Sequence, residues 1–371
     1  MFIVIVGEKG DSGSQFEQAL SDFGLHWDVV WLTDVSAVLN LPLQRTVDVV
    51  VSEYSPRSAQ GPQLLAQIRS LSPAAVRILL MEDDPGADVG QAMESAHRLL
   101  RKPLDAGELI EAVESVAELR ELLDNEQLKQ AIGRIGSLPP PPRLYVQLTK
   151  LMQDPESSSA DIASVLAQDP VIAARVLRLC NSAYFSGGRV VTDVRAAVTR
   201  LGLQTIQRLV LAAEAFGGTA VAGGVDREAM QERALRTSRM AGKLLGGPSA
   251  ELAATAGLLA EVGMLLPGVR IPGRAHEQAM AGAGDGPHYA EAGAYLLGLW
   301  GLPMPIVEAV ASHHQPGRVR MSGFWVSGAV HVASALVAGT EVDEDYLRSV
   351  GQLERLPKWR EMASAQAAVA A

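Results

Sequence analysis

The residues with the clearest chemical potential are three histidines and one glutamate in the second half of the chain, namely His288, His313, His314 and Glu261. Imidazole and carboxylate groups that converge on one or two divalent ions can activate water for hydrolysis. Three imidazoles with little anionic charge beside them hold such an ion only weakly. Two interpretations stay open, a residual metal site and hydrogen-bonded histidines in or at the rim of a core, and we expect the second.

The elements that must carry these side chains are helices. Strand signals nearly vanish between Leu144 and about Ala338, where apolar residues recur at helical spacing between Gly and Pro punctuation. The stretch from Met321 to Thr340 has no charged residue and the length of a membrane span, but it contains His331, three serines and three glycines. We therefore expect a mostly α-helical domain, in which this stretch is a buried core helix preceded by a loop, and no membrane segment.

Residues 1–122 show a different pattern, in which apolar runs of strand length alternate with amphipathic stretches. This pattern predicts an α/β fold with a parallel sheet covered by helices on both faces. The expected strands are Phe2–Val6, Val47–Ser52, Arg77–Met81 and His97–Leu100, and the first expected helices are Gly13–Phe23 and Gly61–Ser70. A longer helical pattern covers residues 105–135, with an interruption expected near Asp124-Asn125. This helix either docks on its own domain or contributes to self-association as a homodimer.

Composition places the chain among globular proteins with room for two or three domains. It has 371 residues, of which 48% are hydrophobic and 20% charged, so large cores are feasible. A single cysteine, Cys180, excludes an intramolecular disulfide and fits a reducing cytoplasm. The apolar start, Met1–Val6, is short and lacks a basic region, so we interpret it as a buried strand and not as a signal peptide.

The net charge of −10 is unevenly distributed. Residues 1–125 contain 20 acidic and nine basic residues, which argues against nonspecific nucleic-acid binding there. A modest basic bias runs from Arg175 to Lys243, with 11 basic and five acidic residues. We interpret this bias as solvated helix faces, and an anionic partner is the alternative.

Residues 1–122 resemble the receiver domain of bacterial response regulators. A receiver carries an acidic pair after its first strand, a phosphoacceptor aspartate after its third, a hydroxyl after its fourth and Lys-Pro after its fifth. Here these positions read Gly7-Glu8, Glu53, Met81 and Lys102-Pro103. One metal carboxylate is missing, the acceptor is one methylene longer than aspartate, and a thioether replaces the hydroxyl. The resemblance therefore implies a degenerate site, and we expect no normal phosphorylation.

Glu53 itself has two interpretations. It could imitate a phosphorylated state through a permanent pairing with Lys102, or it could be a drifted residue in a domain kept for protein contacts. Met81 favours drift, because the hydroxyl that senses a phosphoryl group in receivers is gone.

Residues 135–340 resemble the HDOD domain, the HD-related output domain of bacterial signalling proteins. The resemblance rests on ordered motifs along the whole segment, which are Leu138-Pro139-Pro140-Pro141-Pro142, Asp169-Pro170 through Asn181-Ser182-Ala183-Tyr184, Ala197-Val198 through Gly202-Leu203, Trp300-Gly301-Leu302-Pro303 and the pair His313-His314. It implies an all-α fold and a role in signalling.

The resemblance also shows which metal ligands are altered. A catalytic HD enzyme needs a first histidine, a His-Asp doublet and a final aspartate, and these positions here read Thr237, Ala260-Glu261 and Ser334. The remaining histidines, His288, His313 and His314, resemble the second-metal histidines of HD-GYP phosphodiesterases. We therefore interpret the set as a vestigial pocket with no metal and no cofactor.

These patterns divide the chain into four parts. We expect a degenerate receiver domain at residues 1–122, a linker helix and proline spacer at 123–142, an HDOD domain at 143–340 and a C-terminal extension at 341–371. The expected function is noncatalytic, cytoplasmic bacterial signal transduction through contacts with other signalling proteins. Two rivals stay open, a divergent HD-type metal-dependent phosphodiesterase and a sensor that binds a nucleotide in the vestigial pocket.

Overall fold

The computed structural model describes residues 1–7, 9–41, 45–54, 60–82, 95–123, 125–133, 157–181, 190–202, 226–272, 286–318 and 323–370, together with residues 92, 151 and 206. Within these ranges an α/β unit is followed by a helical unit, so the predicted fold class is confirmed. Several predicted features lie outside the described residues, namely Glu8, the proline spacer Pro139–Pro142, the motif residues Ser182–Tyr184, and Leu203.

In the described part of the chain, five parallel strands form the centre of the first unit. They are β1 (Phe2–Val6), β2 (Asp28–Leu32), β3 (Val49–Glu53), β4 (Val76–Met81) and β5 (Arg98–Arg101), in the order β2-β1-β3-β4-β5. The strands β1, β3 and β4 lie inside the sheet and are almost wholly buried. A strand buried on both faces is a continuous apolar run, which is why the sequence predicts these three.

The sequence analysis missed β2. This strand lies at the edge of the sheet, where Asp28 is exposed and the residues after it are half-buried. An edge strand pairs on one side only and need not be a continuous buried run. The other four strands are confirmed to within two residues of the predicted bounds.

Helices cover this sheet and lead out of it. They are α1 (Gly10–Asp22), α2 (Val35–Asn40), α3 (Gln60–Leu71), α4 (Ala106–Leu122) and α5 (Glu126–Gly133). The Asp105 side chain begins α4 by accepting a hydrogen bond from Glu108 N. The Asn125 side chain accepts one from Leu128 N at 3.1 Å and so caps α5. The predicted interruption near Asp124-Asn125 is therefore confirmed at Asn125, and Asp124 lies outside the described residues.

The second unit is helical throughout its described residues. Its helices are α6 (Ser159–Leu166), α7 (Pro170–Cys180), α8 (Val194–Leu201), α9 (Arg227–Leu244), α10 (Pro248–Leu259), α11 (Tyr289–Leu299), α12 (Met304–Ser312), α13 (Val326–Ala338), α14 (Glu344–Ser349) and α15 (Leu356–Ala370). Short 3-10 turns lie at Val262–Leu265, Pro316–Arg318 and Leu353–Arg355. None of the described helices combines the length and the apolar character needed to cross a membrane.

The helix α13 confirms the predicted core helix in the charge-free stretch. It is buried over most of its length and ends at Gly339, whose φ of 69° favours glycine. The segment after it returns to the core, because Trp359 of α15 stacks on Phe324 with ring centroids 5.1 Å apart. The segment that contains α14 and α15 therefore packs against α13.

The helix α4 does not present a free apolar face. It packs on α11 and α12 of the helical unit, and Leu119 and Leu123 are both buried. The Leu119 side chain lies so close to Gly298 that a Cβ built on this glycine would be 2.6 Å from Leu119 Cδ1. The apolar surface of Leu119 and Leu123 is therefore covered within one chain, and self-association as a homodimer stays a prediction that these two residues do not support.

We predict that Leu119→Ala lowers the free energy of unfolding by about 2–5 kcal/mol, because it leaves a cavity between α4 and α11. The measurement is urea-induced unfolding followed by circular dichroism. The matched control is Leu71→Ala, since Leu71 is 47% exposed, and its expected change is below about 0.5 kcal/mol. Equal losses in the two variants would contradict the packing described here.

Candidate functional site

The histidine cluster forms where the start of α11 meets the end of α12. His288 is the N-cap of α11, Tyr289 is its first residue, and His313 and His314 directly follow α12. The hydroxyl oxygen of Tyr289 lies 3.0 Å from His313 Nε2 and 2.6 Å from His314 Nε2. The structure therefore brings the three predicted histidines together, around a tyrosine that the sequence analysis did not select.

Hydrogen bonding fixes the protonation of this cluster. His313 Nδ1 lies 2.7 Å from the carbonyl oxygen of Val310, which can only accept, so Nδ1 carries the proton. In a neutral imidazole Nε2 is then an acceptor, and it accepts a hydrogen bond from the Tyr289 hydroxyl. The Tyr289 oxygen in turn accepts from His314 Nε2–H. The result is a directed chain from His314 through Tyr289 and His313 to the Val310 carbonyl.

Burial keeps the side chains of this hydrogen-bonded chain neutral. Desolvation, with His314 as the next cause, lowers the pKa of His313 from 6.5 to about 3. Desolvation also lowers the pKa of His314 to about 4 and raises the pKa of Tyr289 above its ordinary value. Near pH 7 both imidazoles are uncharged, and the phenol keeps its proton.

A fourth histidine supports the cluster from α13. His331 Nδ1 lies 2.7 Å from the His313 carbonyl oxygen, and its Nε2 accepts a hydrogen bond from Asp343 N at 2.9 Å. Both nitrogens are therefore used by main-chain groups, and the residue ties the end of α12 to the start of α14. Ser334, at the position of the final aspartate, donates to the His331 carbonyl oxygen at 3.2 Å and stays on its own helix.

The retained carboxylate of the doublet, Glu261, is paired with an arginine. Arg233 of α9 donates from Nε to Glu261 Oε1 at 3.1 Å and from Nη2 to Oε2 at 2.7 Å. This bidentate pair raises the pKa of Arg233, with the hydrogen bond to Glu261 as the largest cause. The neighbouring Ala260 and the replaced first ligand Thr237 are buried.

Close backbone packing sets the distance between this doublet and the cluster. Gly263, two residues after Glu261, lies against the first turn of α11. A Cβ built on Gly263 would be 1.9 Å from the Tyr289 carbonyl oxygen and 2.8 Å from Gly293 N. Only glycine allows this approach, so the turn after α10 and the start of α11 are held in direct contact.

The donor set does not fit the two-metal centre that the HD resemblance implies. Thr237, Ala260 and Ser334 supply no imidazole or carboxylate, and Glu261 is bound to Arg233. His288 Nδ1 accepts from Ala290 N at 3.2 Å, and its Nε2 and the Nδ1 of His314 make no hydrogen bond to the residues that the structure describes. Among the described residues, no group of three or more His, Cys, Asp or Glu side chains is arranged to hold a metal ion.

The degenerate receiver site lies at the carboxyl ends of β3 and β5. Lys102 Nζ is 2.7 Å from Glu53 Oε2 and 3.7 Å from Glu82 Oε1. The structure thus brings Glu53 and Lys102 together and adds Glu82, which directly follows β4 and was missed by the sequence analysis. Met81 is fully buried in β4 and offers no oxygen. A Cβ on Gly7 would lie 3.3 Å from Glu53 Oε1, so the glycine makes room for the longer carboxylate.

Comparison with a known family supports the helical assignment. Residues 138–316 match the family model of the HDOD domain. This part of the chain is therefore an HDOD domain, as the motifs predicted. The α/β unit before it has the five-stranded parallel sheet expected of a receiver-like domain.

The similar proteins are distant. A protein of uncharacterized function from Treponema pallidum (strain Nichols) is 27% identical over 201 residues, which covers 49% of this chain and 38% of that protein. The crystal structure of the MmoQ response regulator from Methylococcus capsulatus str. Bath is 21% identical, with 59% of this chain and 97% of that chain covered and a TM-score of 0.46. An HDOD domain protein with unknown function from Geobacter sulfurreducens is also 21% identical, with 70% and 94% covered and a TM-score of 0.30.

We predict that His313 makes the fold sensitive to mild acid. Its pKa is about 3 in the folded chain and 6.5 when unperturbed, so below pH 6.5 protons bind preferentially to the unfolded chain. This contribution to stability is complete above pH 6.5 and falls as the pH is lowered. Between pH 7 and pH 5 the wild type should lose about 2 kcal/mol that His313→Gln does not lose.

The measurement is the free energy of unfolding in urea at several pH values. His331 and His314 are present in both proteins, so the difference between the two curves isolates His313. Parallel curves for the wild type and His313→Gln would contradict a buried, neutral His313.

Proposed function

We propose that this protein is a noncatalytic regulator of bacterial signal transduction in the cytoplasm, in which a pseudo-receiver is coupled to an HDOD output domain. It acts through contacts with other signalling proteins. The HDOD domain supports the signalling role. The single observation that carries the noncatalytic part is that the polar groups of the vestigial pocket are engaged with one another. Tyr289 occupies two imidazoles, and Arg233 occupies the retained carboxylate.

The chemical argument concerns the activation of water. Water bound to no metal has a pKa of about 15.7, against about 7 on a well-placed zinc ion. A pocket that hydrolyses a phosphodiester at neutral pH needs this gain, and the gain needs carboxylate and imidazole ligands that are free to bind an ion. Glu261 would first have to leave Arg233, and His313 would have to break both of its hydrogen bonds.

The receiver-like domain fits the same conclusion. Its pairing of Glu53 with Lys102 presents a carboxylate and a cation without the acceptor aspartate or the switch hydroxyl. Glu53 is half-exposed, and ion pairs of this kind contribute at most about 1 kcal/mol. The domain therefore serves as a surface for contacts, whether or not the pair imitates a phosphorylated state.

We predict that the purified chain retains substoichiometric metal and does not turn over cyclic dinucleotides with added Mn²⁺, Fe²⁺ or Zn²⁺. Metal content by mass spectrometry and product formation by chromatography are the measurements. Arg233→Ala is an informative variant, because it frees Glu261 without adding a ligand, and it should also be inactive.

Two outcomes would change the assignment. Robust turnover that is abolished by His313→Ala and by His314→Ala would establish the phosphodiesterase instead. Stoichiometric binding of a nucleotide without turnover would favour the sensor, whose support is that, within the described part of the chain, the Nε2 of His288 and the Nδ1 of His314 have no hydrogen-bond partner.

We also predict that acetyl phosphate with Mg²⁺ adds no phosphoryl group to the chain, because a glutamate stands at the acceptor position and Gly7 supplies no metal carboxylate. Intact-mass measurement of the treated protein gives the result. Glu53→Asp restores the nucleophile alone and should also remain unmodified. A stoichiometric gain of one phosphoryl group in the wild type would show that the receiver site is functional.

A further inference from the structure

The receiver-like and helical units are joined by an arginine from each side. Arg98 of β5 donates from Nε to Leu299 O at 3.2 Å and from Nη2 to Gly298 O at 3.0 Å, while its Nη1 donates to Ala112 O at 2.9 Å. The carbonyls of Gly298 and Leu299 belong to the last turn of α11, where carbonyl groups lack the regular helical partner four residues on, and Gly298 O also accepts from Gly301 N at 3.0 Å. A cation there also interacts favourably with the helix dipole.

The second arginine extends in the opposite direction. Arg178 of α7 donates from Nε to His97 O at 3.3 Å and from Nη2 to Ala96 O, and its guanidinium lies 4.8 Å from the ring of Trp300. Ala96 and His97 directly precede β5, and Trp300 directly follows α11. Arg98 from the sheet unit and Arg178 from the helical unit therefore both connect the start of β5 with the end of α11.

Because its guanidinium groups are removed from water, this junction tolerates little change in geometry. Desolvation lowers the pKa of Arg98 to about 10, and Arg178 is only 3% exposed. A buried guanidinium is costly unless its donors are satisfied, so a slip between β5 and α11 that breaks these hydrogen bonds would leave guanidinium donors unpaired. The hydrogen bonds therefore oppose a change in the relative position of the strand and the helix end.

Each candidate site lies at the far end of one of these two elements. Lys102, which pairs with Glu53, directly follows β5, and His288 and Tyr289 begin α11. At about 1.5 Å per residue, α11 spans about 16 Å between the histidine cluster and Arg98. A short rigid path thus runs from Glu53–Lys102 along β5, across Arg98 and along α11 to Tyr289.

We propose that Arg98 couples the two degenerate sites, so that a change at the Glu53–Lys102 pair shifts the position of His288 and Tyr289. This inference deepens the proposed function, because it states how the pseudo-receiver reaches the HDOD pocket. It requires neither phosphorylation nor metal. A partner that displaces Lys102 from Glu53 would alter the pocket rim, and an occupant of the pocket would be felt at the receiver-like surface.

The test is a double-mutant cycle on the full chain. Lys102→Met breaks the ion pair and should change amide hydrogen exchange in Tyr289–Leu299 by about twofold or more, since local opening responds to lost support. It should also shift the imidazole signals of His288 and His314 in NMR spectra. The matched control is Arg45→Met, which breaks the exposed Arg45–Asp28 pair at β2, the opposite edge of the sheet from β5, and should leave both readouts unchanged.

Substitutions of Arg98 are the decisive part of the experiment. In an Arg98→Met background, Lys102→Met should no longer affect α11 or the histidines. Arg98→Lys is the second variant if Arg98→Met fails to fold, because lysine keeps the charge but cannot hold two carbonyls at once with a fixed fork. The same Lys102→Met response with and without Arg98, or no response in the wild-type background, would overturn the coupling. The metal and turnover assays stand apart from this cycle, so the noncatalytic assignment can fail while the coupling holds, and the reverse.

Discussion

The hydrogen bonds of the Tyr289 hydroxyl are the interaction on which the helical unit depends. It accepts from His314 and donates to His313, whose other nitrogen is fixed by the Val310 carbonyl. Buried polar groups must be hydrogen-bonded, and a single phenol satisfies two imidazoles here. Because His331 binds the His313 carbonyl from α13, this one arrangement determines how the start of α11, the end of α12 and the middle of α13 meet.

The pocket also leaves no unpaired charge at the doublet position. An unpaired, partly buried carboxylate at Glu261 would be costly, and Arg233 compensates for it with a bidentate pair. The guanidinium supplies the positive charge for which an ion would otherwise be needed. The replaced positions Ala260 and Thr237 are small and buried, and so add nothing that requires a partner.

The sequence alone predicted those elements of the fold whose buried residues recur in a regular local pattern. Interior strands such as Val76–Met81 and the core helix Val326–Ala338 are evident because their apolar pattern is local. The edge strand Asp28–Leu32 was not evident, since its half-exposed residues lack such a pattern. The packing of Leu119 on Gly298 could not be foreseen either, because an apolar helix face looks the same whether its partner is in the same chain or another.

The same distinction applies to the candidate site. Altered ligands at Thr237, Ala260 and Ser334 can be identified from one sequence, since none of these residue types carries an imidazole or a carboxylate. Pairing is different, because Arg233 meets Glu261 across 28 positions and Tyr289 meets His313 across 24.

Only the folded structure shows that Glu261, His313 and His314 of the pocket are hydrogen-bonded to other side chains. A carboxylate or imidazole that is hydrogen-bonded within the pocket is held in one position, and the proposed noncatalytic role rests on this observation. In a protein whose neighbouring domain contacts the other end of α11, fixed position is itself a property that can carry a signal.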